Sequence, residues 1–156
     1  MTDVVDKEKR SQMMAAIRGK NTKPEIGLRT ELHRLGYRYR LHSRSVTGKP
    51  DMVFPRFKAA VFVHGCFWHR HTGCRYATSP KTREDFWFEK FNSNVSRDSF
   101  VRERLLADGW RVAVIWECAL RRKGFAQLVA TKLADWLTSD LAELEIGYES
   151  LTASPE

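Results

Sequence analysis

Eight consecutive residues, His64-Gly65-Cys66-Phe67-Trp68-His69-Arg70-His71, hold three histidines, a cysteine and two aromatic rings, and Cys74 follows closely. Nitrogen and sulfur donors at this density suit a metal. A structural zinc takes four such ligands in a tetrahedron, and three cysteines with one histidine is a standard set. Cys66, Cys74 and the remote Cys118 are the three cysteines of the chain. They cannot all pair as disulfides, and a chain that reads as cytoplasmic favours metal binding or plain burial for them. His69 and His71 both have workable spacing for the fourth place. If the strand before Cys118 lies near the strand ending at Val63, the four ligands meet and tie a long loop to the sheet. The alternative is a buried thiol at Cys118 beside a loop that binds nothing.

A second kind of chemistry is suggested by Gly48-Lys49-Pro50-Asp51 ahead of the apolar Met52-Val53-Phe54. Proline suits the first position of a strand, where it withholds no ladder hydrogen bond. The Asp51 carboxylate behind it is a hard oxygen ligand of the type that holds Mg2+. Pro-Asp also occurs in ordinary turns, so the weight falls on His64, which a hairpin would bring beside Asp51. Histidine titrates near neutral pH and can move a proton to or from a phosphate or a water. His33 and His42 have no comparable neighbours in the sequence and read as surface groups.

Phe67 and Trp68 stand between metal-binding positions on a basic loop. Exposed rings held rigid in this way suit insertion between base pairs, where unstacking is offset by new contacts. A mismatched step opens at lower cost than a paired one, so deformability contributes to discrimination. The plainer alternative packs both rings over the zinc site.

These groups need a scaffold, and the hydropathy pattern supplies one. Residues 8–18 read as a short helix containing Met13, Met14 and Ile17. Thr22-Lys23-Pro24-Glu25 has the form of a capping box, opening an amphipathic helix through Ile26, Leu28, Leu32 and Leu35 that stops at Gly36. Tyr37, Tyr39 and Leu41 alternate with arginines as a half-buried strand does. Met52–Phe54 and Ala59–Val63 have hairpin spacing. Residues 84–107 read as a long helix with Trp87, Phe91, Val95, Val101 and Leu105 inward. Arg111–Trp116 reads as a strand and residues 124–138 as a last helix carrying Leu128, Val129, Leu133 and Trp136. The order α, α, β, β, β, α, β, α predicts a mixed sheet flanked by helices.

The length of 156 residues fits a single domain over residues 1–156. Hydrophobic residues make up 42% and charged residues 29% of the chain, and no apolar run approaches the roughly 20 residues of a membrane span. The first residues lack the apolar core of a secretory signal. The formal net charge of +8 is uneven, since residues 139–156 form an acidic tail with five acids and no bases. The remainder holds 27 bases against 14 acids. Such a surplus attracts polyanions, nucleic acid above all, because neutralised phosphates release condensed counterions.

Five stretches taken in order, DKEKRSQMMAAIR, GKPDMVF, AAVFVHGCFWHRHTGC, FWFEKFNSNVSRD and LLADGWRVAVIWECALR, resemble the very-short-patch-repair (Vsr) mismatch endonucleases from about Asp6 to residue 138. The Pro-Asp followed by a hairpin is similar to the PD-(D/E)XK restriction-type nuclease core. The resemblance implies an α/β, restriction-endonuclease-like fold of three layers with a structural zinc. It makes Asp51 the Mg2+ ligand, helped by the backbone carbonyl of Val63, with His64 and His69 assisting hydrolysis and Glu25 orienting water. It assigns zinc to Cys66, His71, Cys74 and Cys118, leaving His69 free. It sends Phe67 and Trp68 into DNA from one groove and Met14, on the DNA-contacting helix within residues 1–20, from the other. Where the wider superfamily carries an acid and a lysine on the second strand, this chain has Phe62 and His64, a departure shared by the repair subfamily.

The implied activity is an Mg2+-dependent nick in one strand of double-stranded DNA, 5′ of the thymine in a T:G mismatch left by deaminated 5-methylcytosine. The expected protein is a cytoplasmic, nucleoid-associated monomer that works alongside mismatch-repair proteins and no membrane. A restriction-type or other sequence-specific nuclease would share Asp51 without needing the aromatic pair. A non-catalytic, zinc-containing DNA-binding module would have no use for a carboxylate that repels phosphate.

Overall fold

The computed structural model describes residues 22–152. The helix expected over residues 8–18, and Met14 with it, lies outside the described residues.

The first described helix, α1 (Lys23–Arg34), begins at Thr22, whose hydroxyl accepts the backbone N–H of Glu25 at 3.4 Å, with Pro24 in the first turn. Three short strands follow: β1 (Arg40–Leu41), β2 (Met52–Phe54) and β3 (Ala59–His64). A long crossover carries α2 (Glu84–Ala107) before β4 (Arg111–Trp116), and α3 (Phe125–Leu137) leads to β5 (Glu143–Ile146) and the short α4 (Tyr148–Thr152). The strands form one sheet in the spatial order β1-β2-β3-β4-β5. β1, β2 and β3 pair antiparallel, with Met52 opposite Val61, whereas β3, β4 and β5 run parallel, with His64 beside Trp116.

Alternation along the strands builds two cores, as a sheet covered on both faces requires. Met52, Phe54, Val61, Ala113 and Ile115 pack with Leu28 and Leu32 of α1 and Val129 and Leu133 of α3. Val53, Ala60, Phe62 and Val112 point the other way, onto Leu105 of α2 with Val101 beside it. No described helix is long and apolar enough to cross a membrane.

The structure departs from the sequence reading in four places. The strand expected from Tyr37 shortens to Arg40–Leu41, because the backbone N–H of Tyr37 closes the end of α1 on the Leu32 carbonyl. On α1, Ile26 and Leu35 are exposed, while Glu25 and Arg29 are buried. On α2 the inward position is Asn94 rather than Val95, and on α3 Leu128 faces outward. Finally, the segment read as an acidic tail contains β5, in which Glu143-Leu144-Glu145-Ile146 alternates and Ile146 is buried. Arg111 secures that return: its guanidinium donates to the carbonyls of Trp136, Leu137 and Leu141 and lies over the Trp136 ring.

Candidate active site

A cleft of about 1050 Å³ opens where the parallel strands β3 and β4 end, and Glu25, Asp51, His64, His69, His71 and Asp98 line it. Ligands bind outside the carboxyl ends of parallel strands, where side chains from several elements converge.

Asp51 enters the cleft from the turn before β2. Gly48 takes a φ of +81°, and a Cβ there would come within 2.3 Å of Val101, so the turn can lie against α2 only with glycine at this position. The Asp51 Oδ2 accepts the backbone N–H of Val63 at 2.6 Å. Burial pushes the Asp51 carboxyl up to about 6, opposed by that hydrogen bond and reinforced by Glu25. Glu25 reaches the same place from the first turn of α1, with Arg29 Nη2 4.0 Å from its Oε1. The reading of His42 as a surface group is corrected here. Its side chain is mostly buried, with Nε2 3.3 Å from Glu25 Oε1 and Nδ1 4.0 Å from Asp51 Oδ1. Ligand atoms of Glu25, His42 and Asp51 all lie within 4.8 Å of one another.

His64, at the end of β3, is buried, and its ring stacks face to face on His69 at 3.9 Å. Burial pushes the His64 imidazole down to about 3, so it is neutral at neutral pH. His69 Nδ1 lies 2.6 Å from Asp98 Oδ2 on α2. A carboxylate only accepts, so Nδ1 carries the proton and Nε2 is left as the nitrogen available to the cleft.

The third cluster is that of Cys66, His71, Cys74 and Cys118, whose ligand atoms also fall within 4.8 Å of one another. His71 Nδ1 lies 3.7 Å from the Cys66 sulfur and 3.5 Å from that of Cys118. Burial pushes the Cys66 and Cys118 thiols up, so a cation is what would convert them to thiolates. The surroundings suit a ligand set. The His71 ring stacks on Trp116 at 4.2 Å, Trp116 donates to Glu145 at 2.7 Å, and the Tyr148 N–H donates to the Cys118 sulfur at 3.3 Å. Outer contacts of this kind orient metal ligands.

Phe67 and Trp68 are not the exposed rings that the sequence suggested. Trp68 is buried and Phe67 partly so; both pack edge-on or tilted against Trp87, and Phe67 also against Phe91, rather than over the cysteine cluster. Asn94 pins the loop through the Trp68 carbonyl, and Arg70 spans it by donating to the carbonyls of Phe67, Ala77 and Thr78.

Asp98, Asn94 and Arg70 were missed in the sequence, and His42 was misread. Asp98 had a signal: Phe91, Asn94, Asp98, Val101 and Leu105 follow helical spacing, so a carboxylate lies on the inward stripe.

Comparison with known proteins decides the family. Residues 2–75 match the model of the family described as DNA mismatch endonuclease Vsr. The Vsr DNA mismatch endonuclease of Escherichia coli is 38% identical over 153 residues, covering 97% of both chains. This chain belongs to the Vsr family. Type II nicking enzymes are further relatives of this Vsr-family chain. That of Xanthomonas oryzae is 48% identical over 124 residues, 80% of this chain and 90% of its own, and one from Neisseria meningitidis serogroup A is 42% identical over 127 residues, 81% and 90%. The family match spans Glu25, Asp51 and the whole His64–Cys74 loop, and the full-length relative extends it over Asp98 and Cys118.

Proposed function

We propose that this Vsr-family chain is an Mg2+-dependent endonuclease that nicks one strand of duplex DNA 5′ of the thymine in a T:G mismatch, initiating very short patch repair. The observation that carries the reading is the meeting, in one cleft, of the Asp51 carboxylate with the His69–Asp98 pair. A carboxylate alone repels phosphate, and a proton acceptor alone has nothing to activate. Together they fit hydrolysis of a phosphodiester.

Asp51 and the backbone carbonyl of Val63 offer oxygen donors of the kind Mg2+ prefers; when bound, the ion supplies neutralisation of charge on the scissile phosphate and acidifies water. The protein's own residues do the positioning. Asp98 fixes the His69 ring in one tautomer, and Nε2 takes the proton from the attacking water. His64, neutral and stacked beneath His69, supports that ring and hydrogen-bonds the phosphate without competing for the proton. Glu25 orients water on the far side of Asp51. The set Cys66, His71, Cys74 and Cys118 fits a structural Zn2+, which holds the 65–79 loop rigid. Phe67 and Trp68 enter the duplex by leaving their packing on Trp87 and Phe91, and Met14 enters from the opposite groove.

End-labelled duplexes, one with a T:G mismatch and one fully paired, test the reading with Mg2+ or EDTA. The expected result is an Mg2+-dependent nick 5′ of the mismatched thymine that disappears in Asp51→Ala. Equal cutting of both duplexes would support a less selective nuclease, and binding without any cut would reject an enzymatic role.

A further inference from the structure

His42 follows β1 directly, and its backbone N–H donates to the carbonyl of Asp51 at 3.2 Å, continuing the β1–β2 ladder by one residue. The ladder therefore fixes where its Cα sits relative to Asp51. Its φ is +48°, in the left-handed region. Residues other than glycine adopt that region seldom, although histidine is among those enriched in it. Such conformations persist where the surroundings determine them, and they gather at functional sites. Here the turn carries the imidazole inward, so that its side chain is only 16% exposed and its two nitrogens face two different carboxylates. Those carboxylates come from separate elements, Glu25 from α1 and Asp51 from the turn that opens β2.

The chemistry of the three side chains decides what His42 does between them. Mg2+ takes oxygen ligands and keeps most of its waters, so an imidazole is poorly suited to binding it directly. An N–H beside a carboxylate is a typical outer support of a cation site, fixing the oxygen that does bind. We infer that His42 is a positioning residue of the cation site, holding the Glu25 and Asp51 carboxylates at the separation at which one hydrated divalent cation is shared between them. The inference rests on the proposed hydrolytic function of the cleft. It gives that site a component that neither the capping box nor the Pro-Asp turn contains.

The test uses Mn2+, whose unbound fraction is read by electron paramagnetic resonance, with protein whose cysteine cluster has first been loaded with Zn2+. Wild type is compared with His42→Gly, which removes the imidazole yet suits the left-handed backbone, with His42→Ala, and with His42→Gln, which keeps an N–H donor on a side chain of similar reach. The expected result is Mn2+ binding about tenfold or more weaker in the Gly and Ala variants and largely restored in the Gln variant, as for other outer-shell partners. Melting temperature and binding of T:G duplex in EDTA should match wild type in the Gly variant, while the nicking rate at limiting Mg2+ falls and recovers in part as Mg2+ is raised. Unchanged Mn2+ affinity in His42→Gly would overturn the inference. A Gln variant as weak as Gly would also overturn it, in favour of direct ligation by the imidazole. The proposed function fails separately, if wild type binds Mn2+ but leaves the T:G duplex intact.

Discussion

The His69–Asp98 contact is the shortest-range decision in the cleft. At 2.6 Å the pair fixes which nitrogen of His69 carries the proton, and so which one can accept another. Asp98→Asn keeps the size of the side chain but presents an amide that can hold the opposite tautomer. The nicking rate should fall by roughly 100- to 10,000-fold, consistent with the loss of general-base assistance, while KM for the duplex and the melting temperature stay close to wild type. A rate that tracks wild type across pH would remove Asp98 from the mechanism. His64 stacks on the same ring and is kept neutral by burial, so it places no positive charge against His69.

At the scale of elements, the cysteine cluster depends on a segment distant from its loop. Gly147, just past β5, lies against the His71 ring, where a Cβ would come within 2.9 Å of Cε1 and 3.1 Å of Nε2. The next residue, Tyr148, donates its N–H to Cys118. Gly147→Val should therefore push His71 out of its place against Trp116. A chromogenic zinc chelator should then strip metal from the variant at least about tenfold faster than from wild type, the scale seen when the outer shell of a metal site is disturbed. Release at the wild-type rate would show that the ring has room to shift. The helices carry a related lesson about legibility. The α2 boundaries, the hairpin and β4 were readable because apolar spacing and punctuating glycines dominate there. Placement of the inward stripe was not, because Glu25, Arg29, Asn94 and Asp98 occupy inward positions that a hydropathy pattern assigns to apolar residues. On both helices, the polar residues that break the stripe are the ones that build or brace the site.

At the scale of the whole molecule, the cleft stores a stability cost. Asp51 titrates at about 6 in the fold against 3.8 in the unfolded chain, so between these values the native state binds more protons and stability falls as pH rises. The loss is complete above about pH 6. Asp51→Asn removes it, so this variant should be more stable than wild type by about 1–3 kcal/mol at pH 7, because each tenfold change in proton affinity on folding is worth about 1.4 kcal/mol. The difference should vanish below pH 4. Denaturant melts across that range check the sign: a variant less stable at pH 7 would mean that the Val63 hydrogen bond outweighs desolvation. The same variant should not nick, which makes it a case of activity held at the expense of stability. The family and the loop half of the cysteine cluster were legible because their motifs are local in sequence. His42 was not, since its partners on α1 and at the start of β2 become neighbours only when the sheet closes.

Residues 143–148 supply the outermost parallel strand, the acceptor for Trp116 and the backbone that seats His71 and Cys118. They are also among the last described residues to be made on the ribosome. A growing chain therefore displays Asp51, His64, His69 and Asp98 well before the wall of its cysteine cluster exists. Domains form from the N-terminal side during synthesis, yet the surroundings of His71 and Cys118 are completed only once residues 143–148 have laid β5 along β4.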